Sequence, residues 1–130
     1  MSFYCDTSAL VKVVVEEADS VAFAAWLTHA PRSLYSSDLT RTELMRAVRR
    51  HAPAFGARAR SLLGTVAFVQ LTPPLLERAA LLDPPELRSL DAIHLATALS
   101  LGGELESLVT YDERLARAAR ESGISTLAPS

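Results

Sequence analysis

Ser2-Phe3-Tyr4-Cys5-Asp6-Thr7-Ser8-Ala9-Leu10 is an apolar run that stops at an acid and turns at once into a helix start. Phe3, Tyr4 and Cys5 are apolar at consecutive positions, the pattern of a strand covered on both faces. Asp6-Thr7-Ser8 has the composition of a helix cap. A strand that ends in a carboxylate and passes straight into a helix reads as the first half of a βαβ unit. It delivers Asp6 to the carboxyl edge of a parallel sheet, where open α/β sheets place their ligands.

Outward from this stretch the alternation repeats. Strand-like runs fall at Ser2 to Asp6, Leu34 to Ser37, Ala67 to Leu71, Ser107 to Thr110 and Ile124 to Leu127. Helical patterns cover residues 18–29, 38–51, 55–65, 74–82, 89–101 and 112–122, with Pro53, Pro73, Pro74, Pro84 and Pro85 as punctuation. Such alternation predicts a parallel sheet buried between helices. One stretch runs against simple propensity: Val11-Lys12-Val13-Val14-Val15 is β-branched, yet it follows the cap-like Asp6-Thr7-Ser8. We expect helix over residues 7–16, since burial overrides a propensity cost of under about 1 kcal/mol per residue.

Composition bounds the answer. A chain of 130 residues has the size of one domain with one core, and 49% hydrophobic with 22% charged residues is ordinary for a folded protein. We therefore read residues 1–130 as a single domain. The net charge of −2 excludes a generally basic nucleic-acid binder, although Lys12 is the only lysine and the remaining positive charge is arginine, whose planar fork suits phosphate. A GC-rich coding sequence explains the arginine bias equally well. Cys5 stands alone, which excludes an internal disulfide framework or a cysteine-rich zinc site and fits a reducing cytoplasm. No apolar stretch reaches membrane-span length and no signal-like N-terminus is present, so no membrane association is expected.

Four acids occupy the same kind of position, the polar turn or helix start after an apolar stretch: Asp6, Glu43, Asp91 and Asp112. Each has a structural explanation by itself. Asp6 and Asp112 suit helix caps, and Asp91, ahead of Ala92-Ile93-His94-Leu95-Ala96, suits a first helical turn. Thr40 and Glu43 have capping-box spacing. On helical spacing Arg46 and Arg50 share the face of Glu43, opposite a more buried stripe of Leu44, Ala47, Val48 and His51. These arginines fit either RNA phosphates near a metal or solvated ion pairs on a helix face. His94 reads as a hydrogen-bonded packing residue in an Ala/Leu-rich helix in preference to a metal ligand. In extended geometry Thr110 and Asp112 point to the same side, away from Tyr111. Carboxylates packed together repel unless a cation or shared protons hold them, and acids without cysteine or histidine partners suit a hard cation.

In order and separation, Asp6-Thr7-Ser8-Ala9-Leu10, Thr42-Glu43-Leu44, Leu90-Asp91-Ala92-Ile93-His94-Leu95-Ala96 and Val109-Thr110-Tyr111-Asp112 resemble the motifs of PIN-domain nucleases, in particular the VapC ribonuclease toxins of bacterial toxin–antitoxin pairs. The resemblance spans essentially the whole chain. It implies a three-layer α/β/α sandwich with a mostly parallel sheet of about five strands. It implies Asp6, Glu43, Asp91 and Asp112 as catalytic acids with Thr110 as a supporting hydroxyl. Asp6, Asp91 and Asp112 would hold Mg²⁺ or Mn²⁺, and Glu43 would orient or deprotonate the attacking water. Some relatives carry a further carboxylate where this chain has Thr110 and Tyr111, a departure that bears on a second cation. The implied activity is endoribonuclease cleavage of RNA to 5′-phosphate and 3′-hydroxyl ends. The implied partners are a VapB-like antitoxin and a second copy of the chain. Phe23 and Trp26 share a helix face and read as core in preference to interface. Two other readings compete: a noncatalytic PIN-like module that grips an arginine-bearing partner, and a metal-dependent phosphoesterase acting on substrates other than RNA.

Overall fold

The computed structural model describes residues 2–130. Strand β1 (Ser2–Cys5) leads into helix α1 (Thr7–Val14), then α2 (Ser20–His29), β2 (Ser33–Ser37), α3 (Asp38–His51), α4 (Gly56–Leu63), β3 (Ala67–Val69), α5 (Pro73–Ala80), α6 (Ser89–Leu99), β4 (Leu105–Val109), α7 (Glu113–Glu121) and β5 (Thr126–Leu127). Single 3₁₀ turns at Pro53–Phe55 and Gly102–Glu104 join α3 to α4 and α6 to β4. All strand pairs are parallel, in the order β3-β2-β1-β4-β5. This is the expected α/β architecture, and every expected strand and helix is present.

Period-two alternation along the central strand divides the core in two. Phe3 and Cys5 face one side, where they meet Ala9 and Leu10 of α1 and Phe23 of α2; Tyr4 faces the other, against Leu95 and Ala98 of α6 and Leu115, Ala118 and Ala119 of α7. Helices thus cover both faces, giving the three layers. A smaller cluster of Val14, Leu44, Val48 and Ala59 ties α1, α3 and α4 together, and Leu75, Ala79, Ala92 and Ala96 tie α5 to α6. Trp26 stacks on Phe23 at 5.8 Å and meets Phe3 edge-on at 5.0 Å, so both aromatics belong to the core as expected.

Several boundaries differ from expectation for identifiable reasons. Helix α1 ends at Val14, and Val15 is already extended, although its N–H still bonds the Val11 carbonyl. Glu16 and Glu17 come next, and negative charge is disfavoured at the carbonyl end of a helix. Helix α3 keeps its expected bounds, but the Thr40–Glu43 capping box does not form: the cap is Ser37, whose hydroxyl accepts from the Leu39 N–H, and Thr40 is fully buried. His51 is exposed and does not join the stripe of Leu44 and Val48. Helix α7 closes with Gly123 at φ +86°, Gly123 N–H on the Arg120 carbonyl and Ile124 N–H on that of Ala119, a left-handed exit suited to glycine that turns the chain into β5. Among the described residues no helix is long and apolar enough to cross a membrane.

Strand order reverses at the centre of the sheet: from β1 the chain works outward through β2 and β3, then returns to add β4 on the other side of β1. A crevice opens outside the carboxyl ends of such a pair. The residues leaving β1 and β4 are Asp6 and Thr110 to Asp112.

Candidate active site

Asp6 is 4% exposed, and each hydrogen bond of its side chain comes from a donor aimed at the carboxylate. Oδ1 accepts from the Ser8 hydroxyl at 2.7 Å and the Ala9 N–H at 3.1 Å, and Oδ2 accepts from the Thr110 hydroxyl at 2.6 Å. Asp6 therefore caps α1 and also faces β4. Burial pushes its carboxyl above the ordinary Asp value, against the opposing influence of His94 and of these hydrogen bonds. Thr110, itself buried, accepts from the Asp112 N–H at 3.0 Å and so joins two of the acid-bearing segments. The Tyr111 side chain turns away to the Phe23 side, with Lys12 Nζ 4.4 Å from its ring, which leaves Thr110 on the Asp6 side as the alternation predicts.

Asp112 caps α7, its Oδ1 accepting from the N–H groups of Arg114 and Leu115 at 2.9 and 3.3 Å. Glu43 lies in the second turn of α3 and not at a strand end. It does not stand outward beside Arg46 and Arg50. Both of those arginines are exposed, whereas Oε1 of Glu43 accepts from the Thr7 hydroxyl at 2.6 Å and pairs with His94 Nε2 at 2.7 Å. Burial pushes Glu43 up, but the hydrogen bonds from His94 and Thr7 outweigh it and hold its carboxyl below the ordinary Glu value. Asp91 takes the expected helix-start position. It sits in the first turn of α6, which follows the loop after α5, and α6 has no side-chain cap bond.

Electrostatics shows that these chain-distant acids share one region. Burial raises the Asp91 carboxyl above the ordinary Asp value, and the charge of Asp112 raises it further; Asp6 and Glu43 act in the same sense, with His94 opposing. Proximity does not amount to a closed cage, because among the described residues no group of three or more His, Cys, Asp or Glu side chains is arranged to hold a metal ion. The donor set still fits one class of ion. Mg²⁺ binds through one or two carboxylates and keeps several waters, so it needs acids sharing a field and not an all-protein shell. The histidine in the region is committed elsewhere: His94 is 3% exposed and lies between Tyr4 and Glu43, the hydrogen-bonded packing role expected of it.

Four contributors carry no site signal in the sequence: Thr7, Ser8 and Thr40, which read there as capping residues, and Tyr4. Thr7 and Ser8 were visible only as cap-like residues, yet they hold Glu43 and Asp6 in turn. Thr40 Oγ1 lies 3.2 Å from Thr7 and 2.8 Å from Ser36, continuing the polar network under the site. Beside Asp91 a cleft of about 370 Å³ is lined by Arg88, Arg114 and Arg117 as well as by Glu86 and Glu121. Its arginines come from the start of α6 and the outer face of α7, and only the packing of those two helices brings them together.

Comparison with known proteins places this arrangement. The family model of the PIN domain matches residues 3–121. Ribonuclease VapC47 of Mycobacterium tuberculosis (strain CDC 1551 / Oshkosh) is 42% identical over 130 residues, covering 97% of this chain and 96% of that protein. Ribonuclease VapC46 of M. tuberculosis (strain ATCC 25618 / H37Rv) is also 42% identical, with 99% and 98% covered. In fold the chain is similar to M. tuberculosis VapC20, described as a sarcin-ricin loop cleaving toxin, with a TM-score of 0.76 at 16% identity over 98% of this chain and 99% of that one. A toxin–antitoxin complex from Klebsiella pneumoniae superposes with a TM-score of 0.75 at 22% identity, covering 100% and 98%. The chain belongs to the PIN-domain family, and within it to the VapC-type proteins.

Proposed function

We propose that the protein is a Mg²⁺- or Mn²⁺-dependent endoribonuclease that acts as the toxin of a VapBC-type pair. The observation that carries this reading is the shared field of Asp6, Glu43, Asp91 and Asp112 near the carboxyl edge of the sheet, with Asp91 raised first by burial and then by the charges of the other three. Fixed like charges of this kind cost stability unless a cation joins them. Asp6 and Asp91 would hold that cation, with Asp112 contributing through its second oxygen or through water. The cation would polarise the scissile phosphate and lower the pKa of a coordinated water.

The chain's own residues supply the rest. Thr110 and Ser8 fix the Asp6 carboxylate by donating to opposite oxygens. Glu43, with its pKa held below the ordinary range, is anionic at neutral pH and a weak proton store. It is better suited to orient a nucleophilic water than to retain its proton. Arg88, Arg114 and Arg117 around the cleft beside Asp91 are placed to neutralise backbone phosphates, and they are better candidates than Arg46 and Arg50 on the exposed face of α3. Attack of water on phosphorus leaves 5′-phosphate and 3′-hydroxyl ends.

The test is cleavage of RNA by purified wild-type protein and by Asp6→Ala and Asp91→Ala, with Mg²⁺ and with EDTA. Loss of at least about a hundredfold in both variants with folding retained is expected. Equal cleavage by all three proteins would sink the assignment. The partner half of the reading is suggested by solved relatives such as VapBC2 from Rickettsia felis and VapBC-1 from nontypeable Haemophilus influenzae, whose descriptions name toxin–antitoxin pairs. Expression alone should arrest growth, and co-expression with a VapB-like antitoxin should relieve it; a second copy of the chain is the other expected partner.

A further inference from the structure

The side-chain chain Tyr4–His94–Glu43–Thr7 runs under the acid cluster and links the central strand to three helices. Tyr4 is fully buried in β1, and its hydroxyl lies 2.7 Å from His94 Nδ1. The rings meet at 5.9 Å with an interplanar angle of 68°. His94 Nε2 lies 2.7 Å from Glu43 Oε1, and the Thr7 hydroxyl donates to that same oxygen at 2.6 Å. Residues up to 90 positions apart are thereby tied into one line of short contacts.

Proton bookkeeping assigns the direction of the bond to Glu43. An ionised carboxylate only accepts, so His94 Nε2 carries a proton toward Glu43. Burial keeps the Tyr4 phenol protonated, and its hydroxyl holds the other ring nitrogen, Nδ1, at 2.7 Å. Oε1 therefore receives two donors, while no described side chain bonds Oε2. A glutamate on a helix has three side-chain torsions to lose, and a half-exposed one would otherwise sample several rotamers.

We propose that His94 is a positioning residue for Glu43: with Thr7 it captures Oε1, so that Oε2 is the oxygen left to hold the reacting water or a substrate group. This rests on the reading of Glu43 as part of a nuclease site. The alternative is a buried polar link that only stabilises the fold, as hydrogen-bonded buried pairs can. Second-layer partners of this sort typically cost about 10- to 100-fold in activity when removed.

Turnover of RNA with Mg²⁺ should be compared for wild type, His94→Leu, His94→Gln, Glu43→Gln and the double variant His94→Leu/Glu43→Gln, with Tm measured for each. The glutamine amide reaches close to the Nε2 position and keeps a donor for Oε1. His94→Leu should lower kcat about 10- to 100-fold with KM little changed, and His94→Gln should recover most of it. In the Glu43→Gln background His94→Leu should cost no more than about a further twofold, because residues acting as a unit are not additive. An equal loss from His94→Leu in both backgrounds, or a His94→Gln variant as slow as His94→Leu at unchanged Tm, would overturn the proposal. Should His94→Leu fail to fold, Tyr4→Phe carries the same two-background comparison. A second readout is independent of activity: ¹⁵N spectra of the metal-free protein should show a proton on Nε2 of His94, with the Nε2 signal displaced in Glu43→Gln. An Nε2 without a proton overturns the positioning role, whereas an inactive wild type with a protonated Nε2 and the Glu43-dependent shift overturns the nuclease reading and leaves the Glu43 contact standing.

Discussion

Asp91 is the acid with the least local reason to be charged where it stands. It caps nothing, and its neighbours Asp112, Asp6 and Glu43 all oppose its ionisation. Its raised pKa has a definite sign for stability. A carboxyl that binds its proton more tightly in the folded state stabilises that state below the unfolded-state pKa, here 3.8, and the contribution is lost as pH rises through the folded value. At neutral pH the ionised Asp91 thus destabilises the metal-free protein, and Asp91→Asn should raise Tm. The gain should stay under about 1 kcal/mol, because half-exposed charges are screened by water, and it should vanish near pH 3. Glu43 has the opposite sign: its lowered pKa adds stability above the ordinary Glu value that is lost on acidification. Glu43→Gln should therefore lower Tm at pH 7. Thermal melts of both variants across pH check the pair of signs, and a stabilising Glu43→Gln beside a destabilising Asp91→Asn would contradict the charge arrangement. Asp6 and Asp112 teach a different lesson. In each a cap leaves room for the proposed site role, since one carboxylate oxygen of each accepts from a helix N–H, while Asp6 also accepts a hydrogen bond from Thr110.

At the level of elements, the site depends on how helices are anchored to the sheet. Helix α7 is the clearest case, with Leu115, Ala116, Ala118 and Ala119 buried on one face and Asp112 capping its first turn. Leu115 is fully buried beside Tyr4 and Leu95, so Leu115→Ala should cost about 2–5 kcal/mol in urea unfolding. Leu90→Ala, at a position 49% exposed, should cost no more than about 0.5 kcal/mol. A small effect at Leu115 would mean that α7 is not seated on the sheet in this way. The extent of α3 was readable from sequence because polar residues mark its start and basic residues its end. The direction of Glu43 was not readable, because helical spacing relates it only to its own helix. His94 and Thr7, which draw it inward, belong to α6 and α1.

For the whole molecule, the reversal of strand order beside β1 is what brings separate acids into one region. It sets the ends of β1 and β4 side by side, and the helices on both faces bring Glu43 and Asp91 to the same edge. Under the proposed function a divalent cation relieves the repulsion there and binds only the folded chain. Mn²⁺ or Mg²⁺ should then raise Tm in a saturable manner, by an amount set by RT ln(1 + [L]/Kd). The shift should fade on acidification, since Asp6 and Asp91 must lose protons to bind and both hold them more tightly than an ordinary Asp. An equal shift in wild type and in the Asp6→Ala/Asp91→Ala double variant would place the ion elsewhere. The sequence by itself determined the alternation of strands and helices, the parallel sheet and the identity of the acids, because hydrophobic period and cap chemistry are local properties. Only the tertiary structure decided that Glu43 turns inward to His94, that Asp91 comes within the field of Asp112 and Asp6, and that Arg88, Arg114 and Arg117 share a cleft. Those facts depend on which helices pack together, and no local pattern encodes that.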